Sequence, residues 1–177
     1  MKKENLAEYI RSVPGFPKEG IIFKDITTLL KDKDGLIIAL DQLYDFTKDK
    51  KIDKVVGIES RGFIYGALLA EKLNAGFVPV RKPGKLPTKA IRETYSLEYG
   101  EDSIEIHLDA IEKGDRVLLH DDLLATGGTM EAACRLIEKL GGVIVQISFL
   151  IELTFLKGRE KLKKYEVRSL IKYESED

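Results

Sequence analysis

The sequence predicts an α/β fold in which a twisted parallel sheet is covered by helices on both faces. From residue 53 onward, apolar segments of strand length alternate with segments of helical periodicity, and each apolar segment is followed by a turn. This alternation is typical of parallel strands that are buried on two faces by crossover helices. Ligands of such sheets bind beyond the carboxyl ends of the strands, so we expect the functional residues there.

Before this alternation begins, the pattern predicts two helices separated by an irregular segment. Residues 2–12 carry apolar side chains on one helical face, and residues 34–49 return to the same spacing. The prolines and glycines between them exclude a continuous helix. This irregular segment still carries Phe16, Ile21, Ile22 and Phe23, so we expect it to pack against another part of the structure.

The alternating region contains the elements of the predicted sheet. Strands are predicted at residues 53–60, 76–81, 103–108, 115–122, 143–153 and 167–173. Helices are predicted at residues 61–76 and 127–142, with a shorter one at 155–164. Residues 82–102 resist assignment because they combine two prolines, two glycines and many charges. A loop of this length in a compact domain is usually functional or mobile.

Composition narrows the class of protein. The 177 residues are 44% apolar, enough for one domain with a real core. The formal net charge of −1 excludes the global basic field of most nucleic-acid-binding proteins. A single cysteine excludes an internal disulfide and fits a reducing compartment. No apolar stretch is long enough to span a bilayer. We therefore expect a cytoplasmic protein with one domain over residues 1–177 that binds neither nucleic acid nor membrane.

The segment VLLHDDLLATGGTMEAA, residues 117–133, has the features of a phosphate site. A strand is predicted to end at Asp121 and Asp122, and a loop leads from Leu123 into a helix near Gly128. Glycines let the backbone approach a ligand closely, and the helix N-terminus offers free N–H groups to a phosphate. Threonine hydroxyls add donors. An ordinary strand-to-helix turn capped by threonine and aspartate is the structural alternative.

Two carboxylates beside a phosphate site indicate a ligand with a phosphate and vicinal hydroxyls. Carboxylates accept hydrogen bonds from hydroxyls but repel a phosphate. A ribose 5-phosphate has both groups. The sequence lacks the glycine-rich patterns of the P-loop and of dinucleotide-binding folds. A basic run is predicted to bind further negative charge: Arg81, Lys82, Lys85, Lys89 and Arg92, with no acid between them. For Lys89 and Arg92, a solvated loop is the alternative.

The segment DDLLATGGT, residues 121–129, closely resembles the phosphoribosyl pyrophosphate (PRPP) motif of type I phosphoribosyltransferases. Flanking segments narrow the resemblance to the adenine phosphoribosyltransferases. GFPKEGIIFKDIT, residues 15–27, looks like their base-binding segment, and GIESRGFIYG, residues 57–66, looks like their pyrophosphate loop. VPVRKPGKLP and YSLEYG, residues 78–87 and 95–100, look like their mobile active-site loop. The matches cover most of the chain in order.

The resemblance implies the type I phosphoribosyltransferase fold, with residues 1–30 as a small N-terminal hood and residues 82–102 as a mobile loop. It also implies purine salvage: adenine and PRPP give AMP and pyrophosphate, with Mg²⁺ entering on PRPP, in a homodimer. Asp121 and Asp122 are expected to hold the ribose and to stabilise its positive charge. The 5-phosphate is expected at Ala125, Thr126, Gly127, Gly128 and Thr129. Pyrophosphate is expected at Glu59, Ser60, Arg61, Arg81, Lys82 and Lys85.

The base is expected between apolar surfaces in the hood and at the strand end. Candidate adenine-binding residues are Ile22, Phe23, Lys24 and Leu123, with a backbone carbonyl near Ile22 or Lys24 accepting the exocyclic amine. Phe23 could instead be a core anchor. The resemblance implies that Glu98 assists proton movement on the base; a solvent-exposed loop glutamate is the alternative.

His120 departs from the family pattern, which has an aliphatic residue just before the two acids. Strand alternation turns its side chain to the side opposite Asp121. We interpret it as a core or rim histidine, with contact to the ribose pocket as the alternative.

Three other functions are compatible with parts of the pattern. A phosphoribosyltransferase for hypoxanthine, guanine or xanthine would share the PRPP motif but not residues 15–27. A PRPP-sensing regulator would need a nucleic-acid surface, which the charge balance does not indicate. A non-catalytic flavodoxin-like domain would leave the paired acids and the basic run unexplained.

Overall fold

The computed structural model describes residues 5–97 and 100–176. The N-terminal part contains a 3-10 helix at Leu6–Tyr9, strands β1 (Arg11–Pro14) and β2 (Ile22–Asp25), and helices α1 (Thr27–Leu30) and α2 (Lys33–Asp45). The central part contains β3 (Lys54–Ile58), α3 (Gly62–Lys72), β4 (Gly76–Val80), β5 (Ala90–Ser96), β6 (Glu101–His107), β7 (Arg116–Leu124) and α4 (Gly128–Lys139). Then follow β8 (Val143–Leu153), 3-10 helices at Thr154–Leu156 and Gly158–Leu162, and β9 (Val167–Tyr173).

A five-stranded sheet forms the centre of the molecule, in the order β4-β3-β7-β8-β9, and every neighbouring pair is parallel. Alternate side chains of these strands enter two different hydrophobic clusters. Leu119 packs with the apolar face of α4, whereas Leu118 packs with residues of α2 and α3. Helices thus cover both faces, and the predicted fold class is confirmed. The carboxyl ends of β3 and β7 lie side by side and position the site.

The predicted helix at residues 2–12 is wrong in its described part. Asn5 and Glu8 form a capping box on a single 3-10 turn, and the chain becomes extended at Arg11. Pro14 disfavours helical geometry in the residue before it. The side chain of Arg11 is ion-paired with Asp25, and β1 pairs with β2 in an antiparallel hairpin. A contact between residues distant in sequence therefore overrides the local periodicity.

The tip of this hairpin is less buried than expected. Phe16 and Ile21 are 52% and 37% exposed, although the ring of Phe16 contacts Phe23 edge-on at 5.1 Å between centroids. The segment packs only in part: Ile22 and Phe23 are half-buried, whereas Phe16 and Ile21 remain exposed. The hairpin leaves an apolar surface open beside Phe23.

The segment 82–102 is not a structureless loop where it is described. Strand β5 pairs with β6 as an antiparallel ribbon, from Ala90 opposite His107 to Ser96 opposite Glu101. Arg92 is ion-paired with Glu105 across the ribbon, which favours a structural role for Arg92 over a ligand contact. The strand was missed because Glu93 interrupts the apolar face between Ile91 and Tyr95, where its carboxylate pairs with Arg135 and Lys139.

Two other boundaries differ from the prediction. Strand β7 continues to Leu124 because Leu123 and Leu124 still pair with β8. The connection into α4 is therefore only residues 125–127. The short helix predicted at residues 155–164 is a pair of 3-10 turns. In the described part of the chain, no helix is long and apolar enough to cross a membrane.

Candidate active site

The phosphate cradle is formed where β7 passes into α4. Gly127 is the N-cap residue of α4 and has a φ of 81°, a left-handed conformation that glycine adopts without steric cost. A Cβ atom here would lie 2.4 Å from the carbonyl oxygen of Gly158. Because α4 begins at Gly128, the N–H groups of its first turn lack intrahelical partners and are available to a ligand. The structure brings all five predicted cradle residues around one cavity: Ala125, Thr126, Gly127, Gly128 and Thr129.

The two acids lie at the same strand end. Asp122 is buried, and its Oδ2 is 2.5 Å from Nε of Arg61. The backbone N–H of Asp122 donates to Oδ1 of Asp121 at 2.8 Å. Burial, and then the adjacent charge of Asp122, raises the pKa of Asp121 well above its ordinary value, although Arg61 opposes the shift. The charge of Asp122 is thus compensated by Arg61, whereas Asp121 is a carboxylate whose ionisation is costly.

A polar cleft of about 420 Å³ joins the acids to the loop that follows β3. The peptide between Glu59 and Ser60 is cis. The residues lining the cleft are Ile58, Glu59, Ser60, Arg61, Lys82, Asp121, Asp122, Leu123, Ala125 and Thr129. The predicted pyrophosphate and ribose residues therefore meet in one space, apart from Arg81 and Lys85, which do not line it.

An apolar pocket of about 400 Å³ adjoins the cleft at Arg61. Phe23 lines this pocket, whereas Leu123 lines the polar cleft. Lys24 is buried, its Nζ donates to Oγ of Ser12 at 3.1 Å, and it does not line the pocket. Ile22 is half-buried next to Phe23. The sequence did not indicate the other pocket residues, because the β1–β2 hairpin assembles them: Val13, Phe16, Asp25 and Thr27.

The chain matches the model of the phosphoribosyl transferase domain over residues 24–176. An adenine phosphoribosyltransferase from Christiangramia forsetii is 61% identical over 168 residues, which are 95% of this chain and 98% of that protein. The crystal structure of the enzyme from Thermoanaerobacter pseudethanolicus has a TM-score of 0.93 at 52% identity and covers 95% of this chain and 98% of its own.

The chain belongs to the adenine phosphoribosyltransferase family. A further structure, the Giardia lamblia enzyme complexed with 9-deazaadenine, is 40% identical with a TM-score of 0.89 and covers 98% of this chain and all of its own. The resemblance inferred from the motifs is confirmed by both kinds of comparison.

The basic side chains that were predicted to bind pyrophosphate differ in their ion pairs and hydrogen bonds. Nζ of Lys82 is paired with Asp102 and donates to the hydroxyl of Tyr95 at 3.2 Å. The guanidinium of Arg81 lies 3.3 Å from Glu59 and also donates to the carbonyl of Lys85 at 3.1 Å. Lys85 itself is exposed. Lys82 therefore lines the cleft while it is tied to the turn end of the β5–β6 ribbon, whereas Arg81 and Lys85 do not line the cleft.

Glu59 faces these cations as well as the cleft. Its Oε2 accepts from the backbone N–H of Lys82 at 2.7 Å. Burial opposes ionisation of Glu59, but the Lys82 N–H and the Arg81 guanidinium outweigh it and lower its pKa below the ordinary value. In this geometry, Glu59 anchors the strand end that carries Arg81 and Lys82.

His120 is a core histidine in this member of the family. It is fully buried, its Nδ1 is 2.9 Å from Oγ of Ser148, and its ring lies edge-on to Tyr65. It does not line the polar cleft. Burial lowers its pKa to about 3. Burial of the whole ring supports the core interpretation. Of its two nitrogens, Nε2 has no hydrogen-bond partner within the described ranges.

Two further expectations concern Glu98 and the metal. Glu98 lies outside the described residues. Within residues 5–97 and 100–176, no group of three or more histidine, cysteine, aspartate or glutamate side chains is arranged to hold a metal ion. That Mg²⁺ enters with PRPP, held largely by substrate oxygens and water, stays a prediction.

Proposed function

We propose that this protein transfers ribose 5-phosphate from PRPP to adenine, giving AMP and pyrophosphate, as a step of purine salvage. One observation carries the proposal. The paired acids Asp121 and Asp122 lie in one cleft between the cradle of α4 and the loop around Arg61, with the pocket of Phe23 adjoining. This arrangement matches, in order, the phosphate, ribose, pyrophosphate and base of the reacting complex.

The acids act on the ribose. The bond from C1 to the pyrophosphate oxygen breaks, its electron pair leaves with pyrophosphate, and a purine nitrogen bonds to C1 from the opposite side. Positive charge develops on the ribose during this exchange. Carboxylates at Asp121 and Asp122 accept hydrogen bonds from the ribose hydroxyls and stabilise that charge in a partly desolvated site. Binding at Ala125–Thr129 fixes the 5-phosphate and therefore the position of C1.

The leaving pyrophosphate meets the positive end of the cleft. Arg61 and Lys82 line it together with Glu59 and Ser60. Arg81, which is ion-paired with Glu59, and the exposed Lys85 are assigned to outer contacts of the pyrophosphate. Mg²⁺ carried by PRPP supplies additional stabilisation of the leaving group. Closure of residues 82–102 over the cleft would exclude water, which otherwise hydrolyses PRPP.

The base lies between Phe23 and Leu123. A backbone carbonyl of Ile22 or Lys24 accepts a hydrogen bond from the exocyclic amine of adenine, whereas the oxygen of hypoxanthine or guanine would face that carbonyl unpaired. Glu98 takes part in proton movement on the base. The 9-deazaadenine complex of the Giardia lamblia relative supports a purine site of this kind. We further propose a homodimer that acts in the cytoplasm.

A panel of bases tests the proposal. With PRPP and Mg²⁺ present, we expect AMP formation from adenine to be at least ~100-fold more efficient than nucleotide formation from hypoxanthine or guanine. Chromatography of the nucleotides measures it. Comparable turnover of hypoxanthine would exclude adenine specificity but retain PRPP chemistry. PRPP binding without turnover of any base would favour the regulatory alternative.

A further inference from the structure

Arg61 lies between the two cavities of the site and lines both of them. Its Cζ is 4.9 Å from the centroid of the Phe23 ring, and its Nε is 2.5 Å from Oδ2 of Asp122. One side chain therefore covers the ring that is proposed to stack on adenine. The same side chain is also ion-paired with Asp122, the carboxylate that is proposed to hold the ribose.

This position conflicts with a bound base. Adenine must lie against Phe23 while one of its nitrogens reaches C1 of a ribose held at Asp122. The guanidinium of Arg61 contacts both the Phe23 ring and the carboxylate of Asp122. A guanidinium and a purine cannot both stack on the same part of one ring. Arg61 must therefore move before a base can be seated productively.

The forces on Arg61 favour its movement when PRPP binds. In the structure it is held by a cation–π contact with Phe23 and by the buried carboxylate of Asp122. Pyrophosphate offers several negative charges and bidentate hydrogen bonds in the adjoining cleft. Ribose hydroxyls replace the guanidinium at Asp122. Arg61 precedes α3, so a side-chain rotation suffices and no helix has to move.

We infer that Arg61 couples the two halves of the site, covering the stacking face of Phe23 until pyrophosphate draws the guanidinium away. The inference rests on the proposed function, because it needs the base at Phe23 and the leaving group beside Arg61. In this role Arg61 is a positioning residue that sets the order of substrate entry, in addition to being a pyrophosphate ligand.

Calorimetric titration with adenine, with and without magnesium pyrophosphate, tests the coupling. Without pyrophosphate, Arg61→Ala should bind adenine about 10-fold more tightly than the wild type, since the competing contact is gone. In the wild type, magnesium pyrophosphate should tighten adenine binding by a similar factor. In Arg61→Ala it should have no such effect.

Lys82→Ala is the matched control, because it removes another proposed pyrophosphate cation without uncovering Phe23. Its affinity for adenine alone should equal that of the wild type. Arg61→Lys, which keeps the charge, provides a second variant if Arg61→Ala does not fold. The inference is overturned if Arg61→Ala binds adenine no more tightly than the wild type. It is also overturned if Lys82→Ala increases the affinity for adenine as much as Arg61→Ala does. AMP formation by the wild type is measured alongside: its absence would reject the proposed function itself.

Discussion

Asp121 and Asp122 are neighbouring carboxylates with different surroundings. Asp122 is compensated by Arg61, whereas burial and the charge of Asp122 raise the pKa of Asp121. Folding therefore favours the protonated form of Asp121, and its ionised form, present above the raised pKa, destabilises the fold. A residue kept despite that cost is typical of a functional site.

Replacing either aspartate by asparagine removes the negative charge but keeps the shape of the side chain. For at least one of Asp121→Asn and Asp122→Asn, we expect kcat to fall by roughly 10- to 1000-fold, because the positive charge on the ribose loses its counter-charge. PRPP affinity should fall less, since the charge matters most as the bond to pyrophosphate breaks. Steady-state kinetics and direct PRPP titration measure the two effects.

Thermal unfolding and the pH dependence of activity provide controls for the two asparagine variants. Asp121→Asn should raise the melting temperature at neutral pH, because it removes a buried charge beside another. On acidification, wild-type kcat/KM should fall at a higher pH than an ordinary aspartate would impose. Full activity in both folded variants would remove the acids from the mechanism.

His120 gives a second, pH-dependent prediction. Its pKa is lowered from 6.5 to about 3, so protonation favours the unfolded chain, and stability is lost as the pH falls below 6.5. Between pH 7.5 and 5 this one group should reduce the unfolding free energy by about 2 kcal/mol. Urea unfolding at the two pH values should show a smaller loss in His120→Leu.

Ser148→Ala is the control for His120, because it removes the Nδ1 partner but keeps the buried imidazole. It should retain the loss of stability on acidification. If His120→Leu and the wild type lose the same free energy between the two pH values, another group dominates. Catalytic activity of His120→Leu at neutral pH should be close to that of the wild type, since His120 does not line the cleft.

Among the elements, β7 and α4 were predictable because their signals are local. The glycines, the threonines and the two acids lie within one short segment, so the strand, the cradle and the helix follow from adjacent residues. The hairpin of β1 and β2 depends instead on Arg11 meeting Asp25, and β5 depends on pairing with β6. Periodicity in a single segment cannot indicate such long-range contacts.

For the site too, the parts that depend on neighbouring residues were predictable, and the parts that depend on long-range contacts were not. The cradle and the acids meet as expected, but the engagement of Lys82 by Asp102 and Tyr95 and the contact of Arg61 with Phe23 depend on the folded chain. No pattern in the sequence indicated the contact between Gly127 and Gly158. Ligand contacts of the predicted residues, and the part taken by Glu98, stay predictions.

The contact behind the cradle changes the expectation for Gly127. The sequence assigned this glycine to close approach of a ligand, but a Cβ would also meet the carbonyl of Gly158 at 2.4 Å in a left-handed conformation. Gly127→Ala should therefore weaken PRPP binding and also lower the melting temperature by about 4–8 °C, for a loss of about 2 kcal/mol. Calorimetry and thermal unfolding measure the two effects.

Gly128→Ala is the matched variant, because the nearest atom to its Cβ is a ring carbon of Tyr95 at 3.3 Å, in a side chain that can shift slightly. It should melt closer to the wild type than Gly127→Ala does. An unchanged melting temperature in Gly127→Ala would mean that the segment of Gly158 yields easily and does not fix the cradle.

At the scale of the whole molecule, the positive charge is local. The formal net charge is −1, yet the cleft presents Arg61 and Lys82 to a polyanionic substrate. PRPP at about 100 times its Kd should stabilise the folded protein by about 2.7 kcal/mol, which corresponds to a rise of roughly 5–10 °C in melting temperature. Thermal scans with Mg²⁺ measure it. Ribose at the same concentration, without either phosphate group, should leave the melting temperature unchanged.

The backing of the cradle by Gly158 has a consequence for biosynthesis. Residues 125–129 leave the ribosome well before the segment that closes the space behind them, and that segment is held in turn by its connection to β9. A nascent chain that has released β7 and α4 but not the Gly158 segment lacks part of the proposed 5-phosphate site. We therefore expect PRPP to stabilise nascent chains that include the Gly158 segment, and not shorter ones.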